Sequence, residues 1–513
     1  MVIVLDFGSQ YTQLIVRKVR ELGFYAEVLP FNTSLKEVKN KNPQALILSG
    51  GPKSVLEKGA PSIDKNIWKL NIPTLGVCYG MQLMARELGG GVISSSFKEY
   101  GPVQLELKKE AMQEGIPFFH DLPEKSQVWM SHGDLVHIPP PSFKIFASTS
   151  ACPVAAMGNP AEKTYGIQFH PEVAHTTHGK VLLKNFLEKV ASLKPDWSIK
   201  NYLDESLINI KKTAGDGKVV LALSGGVDST VTVILLNKAI PGQNFPFFVD
   251  HGLLREGEVE EVLRALRKLD VPVKLIEARE QFFSALKGVK DGEKKRKIIG
   301  KEFIKILEKE ARAIPGVTHL AQGTLYPDVI ESAVSVSGIA AKIKTHHNVG
   351  GLPPDMKLKL LEPLRFLFKD EVRELGKLLG LPDEILSRQP FPGPGLAVRI
   401  MGEITEERIV KLKNIDKIVR EELIKWERYS EIWQAFPVLT GAKTVGVKGD
   451  ERSYEEVVAI RVVSSQDGMT ADWVEIPYPI LRKMSERITR EVEGVNRVVY
   501  DITTKPPATI EWE

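Results

Sequence analysis

Ser224-Gly225-Gly226-Val227-Asp228-Ser229-Thr230 joins a strand-like apolar run, residues 219–223, to a helix-like run, residues 231–236. The adjacent glycines permit backbone angles that other residues avoid, so several N–H groups can converge on one anion at the positive end of a helix. The hydroxyls of Ser224, Ser229 and Thr230 add further donors. A strand, a glycine turn and a helix in this order predict a phosphate-binding loop in an α/β domain.

The spacing of this loop differs from that of a Walker loop, since Gly-x-x-x-x-Gly-Lys-Ser/Thr is absent. The stretch resembles the pyrophosphate-binding loop of the ATP pyrophosphatases. That resemblance implies cleavage of ATP to AMP and pyrophosphate, makes residues 224–230 ATP ligands, and brings Mg²⁺ with the ATP; the residues that hold the metal are left open. An ordinary glycine-rich turn is the alternative interpretation. Asp250 ends the next apolar strand, where it either meets the ribose or adenine of ATP or caps the following turn.

Length, charge and cysteine content limit the class of protein. With 513 residues the chain can hold two to four domains. A formal net charge of +4 gives no global basic field, so we expect no nucleic-acid partner. The 2 cysteines exclude a disulfide scaffold, and no apolar run reaches the roughly 18 residues that span a bilayer. The sequence opens with the strand-like run of residues 2–5 rather than with a basic segment and an apolar signal core, so we expect no signal peptide. We therefore expect a cytoplasmic protein with no membrane partner.

Alternating strand-like and helical patterns predict two parallel-sheet α/β domains followed by a smaller α+β domain. The predicted limits are residues 1–193, 198–388 and 389–513. The basic, glycine-bearing segment 290–301 is interpreted as a mobile loop. Further predicted elements are the strands 2–7, 45–48, 457–463 and 498–502 and the helices 14–22 and 480–492.

A cysteine in the first domain has the surroundings of a nucleophile. Gly76-Val77-Cys78-Tyr79-Gly80 places a thiol at a strand end before a helical pattern, which is a nucleophile elbow with sulfur in place of a hydroxyl. The thiolate is the reactive form, so a nearby histidine is required. His170 is the best candidate, with Glu172 two residues on to orient its ring. The backbone N–H groups of Gly51 and Tyr79 are predicted to form an oxyanion hole. Cys152 lacks such flanks and is interpreted as a small buried apolar residue.

Residues 1 to about 190 resemble the class I glutamine amidotransferases through this elbow and the Ile167-Gln168-Phe169-His170-Pro171-Glu172 segment. The resemblance implies that glutamine is hydrolysed through a γ-glutamyl thioester, with Cys78, His170 and Glu172 as the triad, and that ammonia is released. An ATP-cleaving loop in the same chain then has a purpose. ATP would turn an oxygen of an acceptor into an adenylate, and ammonia would displace it, so AMP rather than ADP is the expected product.

Phosphate-binding motifs do not identify the molecule that accepts the ammonia. The identity of this acceptor comes from a resemblance to a known family. The domain order, with the segments 344–348 and 388–399 and the tail 504–513, resembles the glutamine-hydrolysing GMP synthetases along essentially the whole chain. That resemblance implies a Rossmann-like second domain, amination of xanthosine 5′-monophosphate at C2, and a homodimer formed through the C-terminal domain. It also implies ligands of xanthosine monophosphate, which are Arg296 (as part of a lid), Gln434, Asp450, Lys505 and Glu511.

Two other functions are also compatible with parts of the sequence. The first is that of a different ATP pyrophosphatase, such as an RNA thiolase or a synthetase with another acceptor. A thiolase needs a sulfur relay, and beyond Cys78 the chain offers Cys152 alone, outside the ATP-binding domain. A non-catalytic nucleotide-binding protein is another, against which the intact triad and loop both argue. The proposed substrate ligands also have non-functional alternatives. Residues 294–297 could form a solvated charged surface, and the C-terminal tail could be frayed.

Overall fold

The computed structural model describes residues 1–9, 11–112, 116–329, 358–448, 450–465 and 470–513. Segment 344–348, singled out above, lies outside the described residues. The chain forms two compact units, one made of Met1–Tyr202 and one that contains Leu203–Tyr326 and the described residues from 358 onward. Within the described ranges, no helix is both long and apolar enough to cross a bilayer. The domain limits predicted above stay predictions.

The first unit is built around one large sheet with helices against it. Its strands are β1 (Val2–Asp6), β2 (Ala26–Pro30), β3 (Ala45–Leu48), β4 (Thr74–Val77), β5 (Gly91–Leu107), β6 (Lys125–Ile138), β7 (Lys144–Ser148), β8 (Ala156–Asn159) and β9 (Thr164–Ile167). Its α-helices are α1 (Thr12–Glu21), α2 (Leu35–Asn40), α3 (Tyr79–Glu87) and α4 (Gly179–Lys184).

The strand order of this sheet is β2-β1-β3-β4-β9-β8-β7-β5-β6. The strands from β2 to β9 are parallel, as predicted, and those beyond β9 are antiparallel. Burial follows this division: β3 and β4 are buried throughout, as parallel strands covered on both faces are, whereas β6 alternates between exposed and buried residues. The α/β class is confirmed, and the antiparallel half is an addition to the prediction.

The second unit holds two sheets. α5 (Ile199–Ala214) begins in the first unit and continues into this one. The elements before the C-terminal sheet are β10 (Lys218–Leu223), α6 (Val227–Ala239), β11 (Asn244–Asp250), α7 (Glu258–Lys268), β12 (Lys274–Glu277), α8 (Arg279–Leu286), α9 (Gly292–Ala313), β13 (Val317–Ala321), β14 (Lys359–Leu361), α10 (Lys369–Leu378) and α11 (Asp383–Leu386). The later elements are α12 (Glu406–Ile424), β15 (Gln434–Lys448), β16 (Glu451–Ser464), β17 (Asp472–Trp473), α13 (Tyr478–Glu491) and β18 (Val495–Tyr500).

The first sheet of this unit is entirely parallel in the order β12-β11-β10-β13-β14. The chain runs from β10 outward through β11 and β12 and then returns to the other side of β10 with β13. The order of a doubly wound sheet therefore reverses between β10 and β13, and the crevice at the carboxyl ends of these strands is where such sheets bind ligands. The predicted phosphate loop follows β10 directly.

The second sheet joins the antiparallel pair β15 and β16 to β17 and to the parallel β18, with α12 and α13 beside it. The predicted strands and the predicted helix near residues 480–492 are present, so the α+β class of this region is confirmed. Apolar side chains of both sheets and of α12 pack into one continuous core. Its members include Val220, Phe247, Leu320, Leu396, Leu412, Val419, Val458, Ile460 and Val495.

The prediction of a mobile loop at residues 290–301 is wrong, because helix α9 begins at Gly292. Asp291 caps this helix by accepting a hydrogen bond from the N–H of Lys294 at 2.8 Å. Lys295, which reads as a surface charge in the sequence, is fully buried and donates from Nζ to the main-chain oxygen of Ile400. Ile299 is buried in the core on the same helix. The high charge of the segment concealed its apolar face.

Candidate active sites

Cys78 lies on a sharp turn between β4 and α3. Its backbone angles, φ 50° and ψ −105°, are strained for a residue with a side chain. The chain passes so closely here that a Cβ on Gly80 would lie 2.4 Å from the main-chain oxygen of Leu48, and one on Gly76 would lie 2.7 Å from the nitrogen of Met81. The glycines on both sides of the cysteine are therefore required by space, and the thiol is presented at the end of β4.

The structure brings the three predicted triad residues together in a buried site. His170 Nδ1 lies 2.7 Å from Glu172 Oε1, and the His170 ring is hydrogen-bonded to Cys78. Burial by itself lowers the pKa of His170, but the charge of Glu172 and the hydrogen bonds to Cys78 and Glu172 raise it, and the resulting pKa lies well above the usual value for histidine. The raised pKa favours the protonated ring, and so favours an ion pair with a thiolate.

The predicted oxyanion hole lies beside this triad. Tyr79 is the first residue of α3, so its N–H has no partner within the helix. A Cβ on Gly51 would lie 3.4 Å from the Tyr79 ring and 2.8 Å from the main-chain oxygen of Phe7. The backbone at Gly51 therefore passes close to both Tyr79 and Phe7. A Cβ on Gly50 would lie 3.1 Å from His170 Cε1 and 3.7 Å from Cys78 Cβ. The Gly50-Gly51 backbone is thus adjacent to the nucleophile.

Cys152 is buried, and burial raises its pKa to about 12, so it is a protonated and unreactive thiol. It lies beside Glu99 and His132, and one ligand atom from each lies within 4.8 Å of the others, which is a set that could hold a metal ion. His132 Nε2 is already paired with Glu99 Oε2 at 3.1 Å. Sequence reasoning missed this cluster because its members come from three separate strands and loops.

The phosphate loop satisfies its own polar groups in this structure. Gly225 has φ 78°, as a glycine turn requires. Ser229 and Thr230 donate their hydroxyls to the main-chain oxygen of Gly226 at 3.1 and 2.9 Å. The hydroxyls of Ser224 and Ser229 are 3.1 Å apart. These bonds hold the loop in shape while α6, which begins at Val227, directs its N-terminus toward it.

An open cavity of about 270 Å³ lies at the switch point between β10 and β13. Its polar lining comes from Ser224, Asp228 and Ser229 of the loop and from Gln322 after β13. Gly323 lies so near the loop that a Cβ there would be 3.1 Å from the carbonyl carbon of Asp228. The cavity therefore occupies the crevice where a doubly wound sheet binds a nucleotide.

Two basic residues that the sequence analysis did not single out contact the loop. Lys369, near the start of α10, lies 2.6 Å from both carboxylate oxygens of Asp228. Arg388 donates to the main-chain oxygen of Gly225 at 3.2 Å and to Glu261 at 3.1 Å. Arg388 was quoted above as part of segment 388–399, but no local signal linked either residue to the loop.

Asp250 caps a turn in this structure, and its contact with ATP stays a prediction. Its Oδ1 accepts a hydrogen bond from the N–H of Gly252 at 2.9 Å and so caps the turn after β11. It is not among the residues that line the cavity.

Two of the predicted substrate ligands, Gln434 and Glu511, are in direct contact. Gln434 Nε2 donates to Glu511 Oε1 at 2.7 Å. The same carboxylate is held by Arg399, with Nη2 to Oε1 at 2.9 Å and Nε to Oε2 at 3.2 Å. Arg399 is fully buried and lies 4.1 Å from the centre of the Phe436 ring. It is a further member of this cluster that sequence reasoning did not identify.

Arg296 and Lys505 also lie along the C-terminal tail. Arg296 donates from Nη2 to the main-chain oxygen of Glu513, and the charge of Glu511 acts on it. Lys505 pairs through its backbone with Ala471, by hydrogen bonds of 2.7 and 3.0 Å. The tail is thus tied to the sheet and to α9, which counts against the interpretation of a frayed end.

Asp450 is a predicted ligand that lies far from Gln434 and Glu511. It lies at the tip of the hairpin formed by β15 and β16, with φ 66°. Gln434 is at the opposite end of the same hairpin, which at the usual rise of a strand is on the order of 40 Å away.

Comparison with known proteins agrees with this arrangement. The family model "Glutamine amidotransferase class-I" matches residues 3–190, and the model "GMP synthase C terminal domain" matches residues 421–512. A protein of Carboxydothermus hydrogenoformans is 54% identical over 100% of this chain and 99% of its own length. The corresponding values are 53%, 100% and 99% for a protein of Aquifex aeolicus and 54%, 100% and 99% for one of Maridesulfovibrio salexigens. All of these relatives bear the name "GMP synthase [glutamine-hydrolyzing]". Since the likeness extends from end to end, this chain belongs to the family of glutamine-hydrolysing GMP synthases.

Proposed function

We propose that this chain makes GMP from xanthosine 5′-monophosphate, with glutamine as the nitrogen donor and ATP as the activating reagent. The observation that carries the proposal is that one chain holds both a buried Cys78–His170–Glu172 triad and a phosphate loop at the switch point of a parallel sheet. The first supplies ammonia and the second supplies a leaving group for it to displace.

The glutaminase step follows from the geometry of the triad. His170 takes the proton of Cys78, and the sulfur attacks the side-chain carbonyl carbon of glutamine. The negative oxygen that develops is met by the N–H groups of Gly51 and Tyr79. His170 returns the proton to the departing nitrogen, the C–N bond breaks, and ammonia leaves a γ-glutamyl thioester. Water then hydrolyses the thioester to glutamate and regenerates the thiol.

The second step uses the loop of residues 224–230. The oxygen at C2 of xanthosine monophosphate attacks the α-phosphorus of ATP, and the bond to pyrophosphate breaks. The loop's N–H groups, the hydroxyls of Ser224 and Ser229 and the ammonium of Lys369 would hold the pyrophosphate. Ammonia then adds at C2, and AMP departs with the oxygen. The nucleotide product is therefore AMP.

The donor set of the cavity fits Mg²⁺ brought in with ATP. Mg²⁺ is usually held by one or two carboxylates together with substrate phosphates, and Asp228 places a carboxylate on the cavity wall. Asp228 would be the protein ligand, with its pairing to Lys369 exchanged for the metal. When bound, the metal offsets the negative charge of the phosphates.

The acceptor is assigned to the cluster along the tail. Arg296, Gln434, Lys505 and Glu511 are the proposed ligands of xanthosine monophosphate, and we add Arg399 because it holds the Glu511 carboxylate in place. Asp450 stays a prediction that a single protomer does not support.

A homodimer in the cytoplasm completes the proposal. The hairpin of β15 and β16 supports the dimer, since Val445, Val447 and Tyr454 share one of its faces and are 46%, 77% and 65% exposed. Exposed apolar side chains grouped in this way are typical of an interface between subunits. The free, unpaired state of both cysteines agrees with a reducing compartment.

One assay tests the proposal. The full-length protein is mixed with glutamine, Mg²⁺-ATP and xanthosine monophosphate, and GMP, AMP and glutamate are followed. We expect the three products in equal amounts at early times. Formation of ADP instead of AMP, or ATP cleavage that does not depend on xanthosine monophosphate, would overturn the assignment of the acceptor.

A further inference from the structure

Gln168 is a buried glutamine beside the nucleophile that the mechanism above does not use. It has no exposed surface, and its Nε2 lies 3.6 Å from Cys78 Sγ, within hydrogen-bonding reach of an atom as large as sulfur. We propose that Gln168 is a further catalytic residue of the glutaminase site, whose side-chain amide donates a hydrogen bond to the sulfur and stabilises the thiolate. This inference rests on the proposed role of Cys78 as the nucleophile.

The orientation of the Gln168 amide is decided by its neighbours rather than by its shape. The main-chain oxygen of Asp134 can only accept, so Gln82 presents its NH₂ group to it, at 2.8 Å. The same Gln82 nitrogen lies 3.3 Å from Gln168 Oε1, which must therefore accept. The NH₂ end of Gln168 is left to face the sulfur. Rotating the amide by 180° would set NH₂ against NH₂, and it would set an oxygen against the sulfur, which repels the thiolate.

The sulfur has a second polar neighbour with the opposite preference. Cys78 Sγ lies 3.7 Å from the main-chain oxygen of Ser131 on β6. A carbonyl oxygen can pair with the thiol S–H but repels the thiolate, whereas an amide N–H pairs with the sulfur in either state and more strongly with the thiolate. Once the proton has moved to His170, the Gln168 amide is the neighbour that offsets the Ser131 carbonyl.

The far end of this chain of hydrogen bonds is anchored in the core. The Asp134 oxygen also lies 3.0 Å from His132 Nδ1, which must donate to it, so His132 Nε2 faces Glu99. The imidazole and the carboxylate therefore share one proton. Thr149 Oγ1 donates to the other Glu99 oxygen at 3.0 Å. Gln82 is thus a positioning residue, held by a carbonyl whose own place is fixed by the buried His132–Glu99 pair.

The ionisable groups around the sulfur are few enough to design a clean test. His170 and Glu172 lie on one side, and the His132–Glu99 pair with Cys152 lies beyond Gln82 and Asp134. In a full-length Cys152→Ala background, Cys78 is the only thiol of the chain. The rate of its alkylation by iodoacetamide, measured against pH, reports the thiolate without glutamine, ATP or an acceptor.

We expect Gln168→Met, which keeps the length of the side chain and removes the donor, to move the midpoint of this curve up by about one pH unit. That is the size of effect that a hydrogen bond to a charged group has. At a pH below the wild-type midpoint, alkylation would fall about 10-fold, and so would glutaminase kcat/KM measured at that pH. Gln168→Glu, which has the same shape and no donor when ionised, should move the midpoint further. Gln82→Met should move it less, because the donor remains and only its support is lost.

Gln127→Met is the matched control, since Gln127 is an exposed glutamine on β6 that donates to the main-chain oxygen of His175 instead. It should leave the alkylation curve unchanged. Thermal denaturation of the full-length protein, followed by circular dichroism, reports whether each variant is folded. A merely structural role for Gln168 would lower the melting temperature and leave the alkylation midpoint where it was. An unshifted midpoint in both Gln168→Met and Gln168→Glu would overturn the inference, whether or not the protein proves to make GMP.

Discussion

The thiol site and the phosphate loop differ in where their polar groups find partners. At the thiol site, Cys78, His170 and Glu172 are buried and bonded to one another. At the loop, the hydroxyls turn back to Gly226, and Asp228 is paired with Lys369 at a partly exposed position. A site that performs covalent chemistry with its own atoms is complete before substrate arrives. A site whose partner is a ligand keeps its groups satisfied by contacts that the ligand replaces.

Removing the nucleophile should separate the two sites most completely. We expect Cys78→Ala to lower glutamine-dependent GMP synthesis by at least about 10⁴-fold, because the thioester cannot form. Synthesis from added ammonium should continue at its wild-type rate, and Cys152→Ala should change neither activity. Steady-state rates with each nitrogen source measure this. Loss of both activities in Cys78→Ala would show that the sites do not function separately.

Glu172→Gln should lower the glutaminase kcat by about 10²- to 10⁴-fold. Without the Glu172 charge, burial dominates and the pKa of His170 falls, so the imidazolium that pairs with the thiolate is disfavoured. The stability that the raised His170 pKa contributes is fully present below about pH 6.5, the usual pKa, and is lost as pH rises through the folded pKa. Chemical denaturation at several pH values should show the deficit of the variant shrinking as pH rises.

The exposed Glu162, in the turn between β8 and β9, provides the matched control. Glu162→Gln should keep the wild-type activity and the wild-type dependence of stability on pH. A deficit in Glu172→Gln that grew with pH would contradict the assignment of a raised His170 pKa.

On the loop side, Lys369→Ala should lower kcat/KM for ATP by about 10²-fold, since a cation next to the transferred phosphates is lost. The triad in the first unit should be unaffected by Lys369→Ala, so the rate of Cys78 alkylation should stay at the wild-type value. Lys377, an exposed lysine on the same helix, supplies the control Lys377→Ala with no expected effect. Equal ATP kinetics in the two variants would remove Lys369 from the site.

Arg388→Ala should have the smallest effect, a rise of about 10-fold in the KM for ATP. Its hydrogen bond to the Gly225 oxygen is charge-assisted, and such bonds contribute about 1.5 kcal/mol or more. Glu261→Gln removes only the outer, half-exposed partner of Arg388 and should change this KM less than about 2-fold. If Glu261→Gln equals Arg388→Ala in its effect, the ion pair rather than the contact with the loop is responsible.

The parts that the sequence predicted well are those that short stretches specify. The elbow around Cys78 and the glycine loop after β10 each combine a strand end, glycines and a helix start within a few residues. Lys369, Arg399 and Gln168 escaped prediction as site residues because their partners lie 141, 112 and 90 residues away in the chain. Only the fold decides which distant residues meet.

The high charge of α9 led to a wrong prediction, and the substrate ligands were predicted from a resemblance rather than from physical chemistry. The lysines of α9 suggested a solvated loop, although Ile299 and Ile306 already mark an apolar face at a spacing of two helical turns. The substrate ligands came from resemblance to a family, and the structure draws Gln434 and Glu511 together while it leaves Asp450 at a hairpin tip. A residue carried over from a family therefore still needs its position tested in the fold.

The continuous core of the second unit also bears on how this region unfolds. Side chains such as Phe247 on the parallel sheet and Ile460 on the C-terminal sheet belong to one apolar cluster. Cutting the chain between residues 388 and 389 would leave both halves with large apolar faces in water, where each would be prone to aggregate. The two sheets should therefore melt in one cooperative transition, and neither half should be obtainable alone as a well-behaved protein.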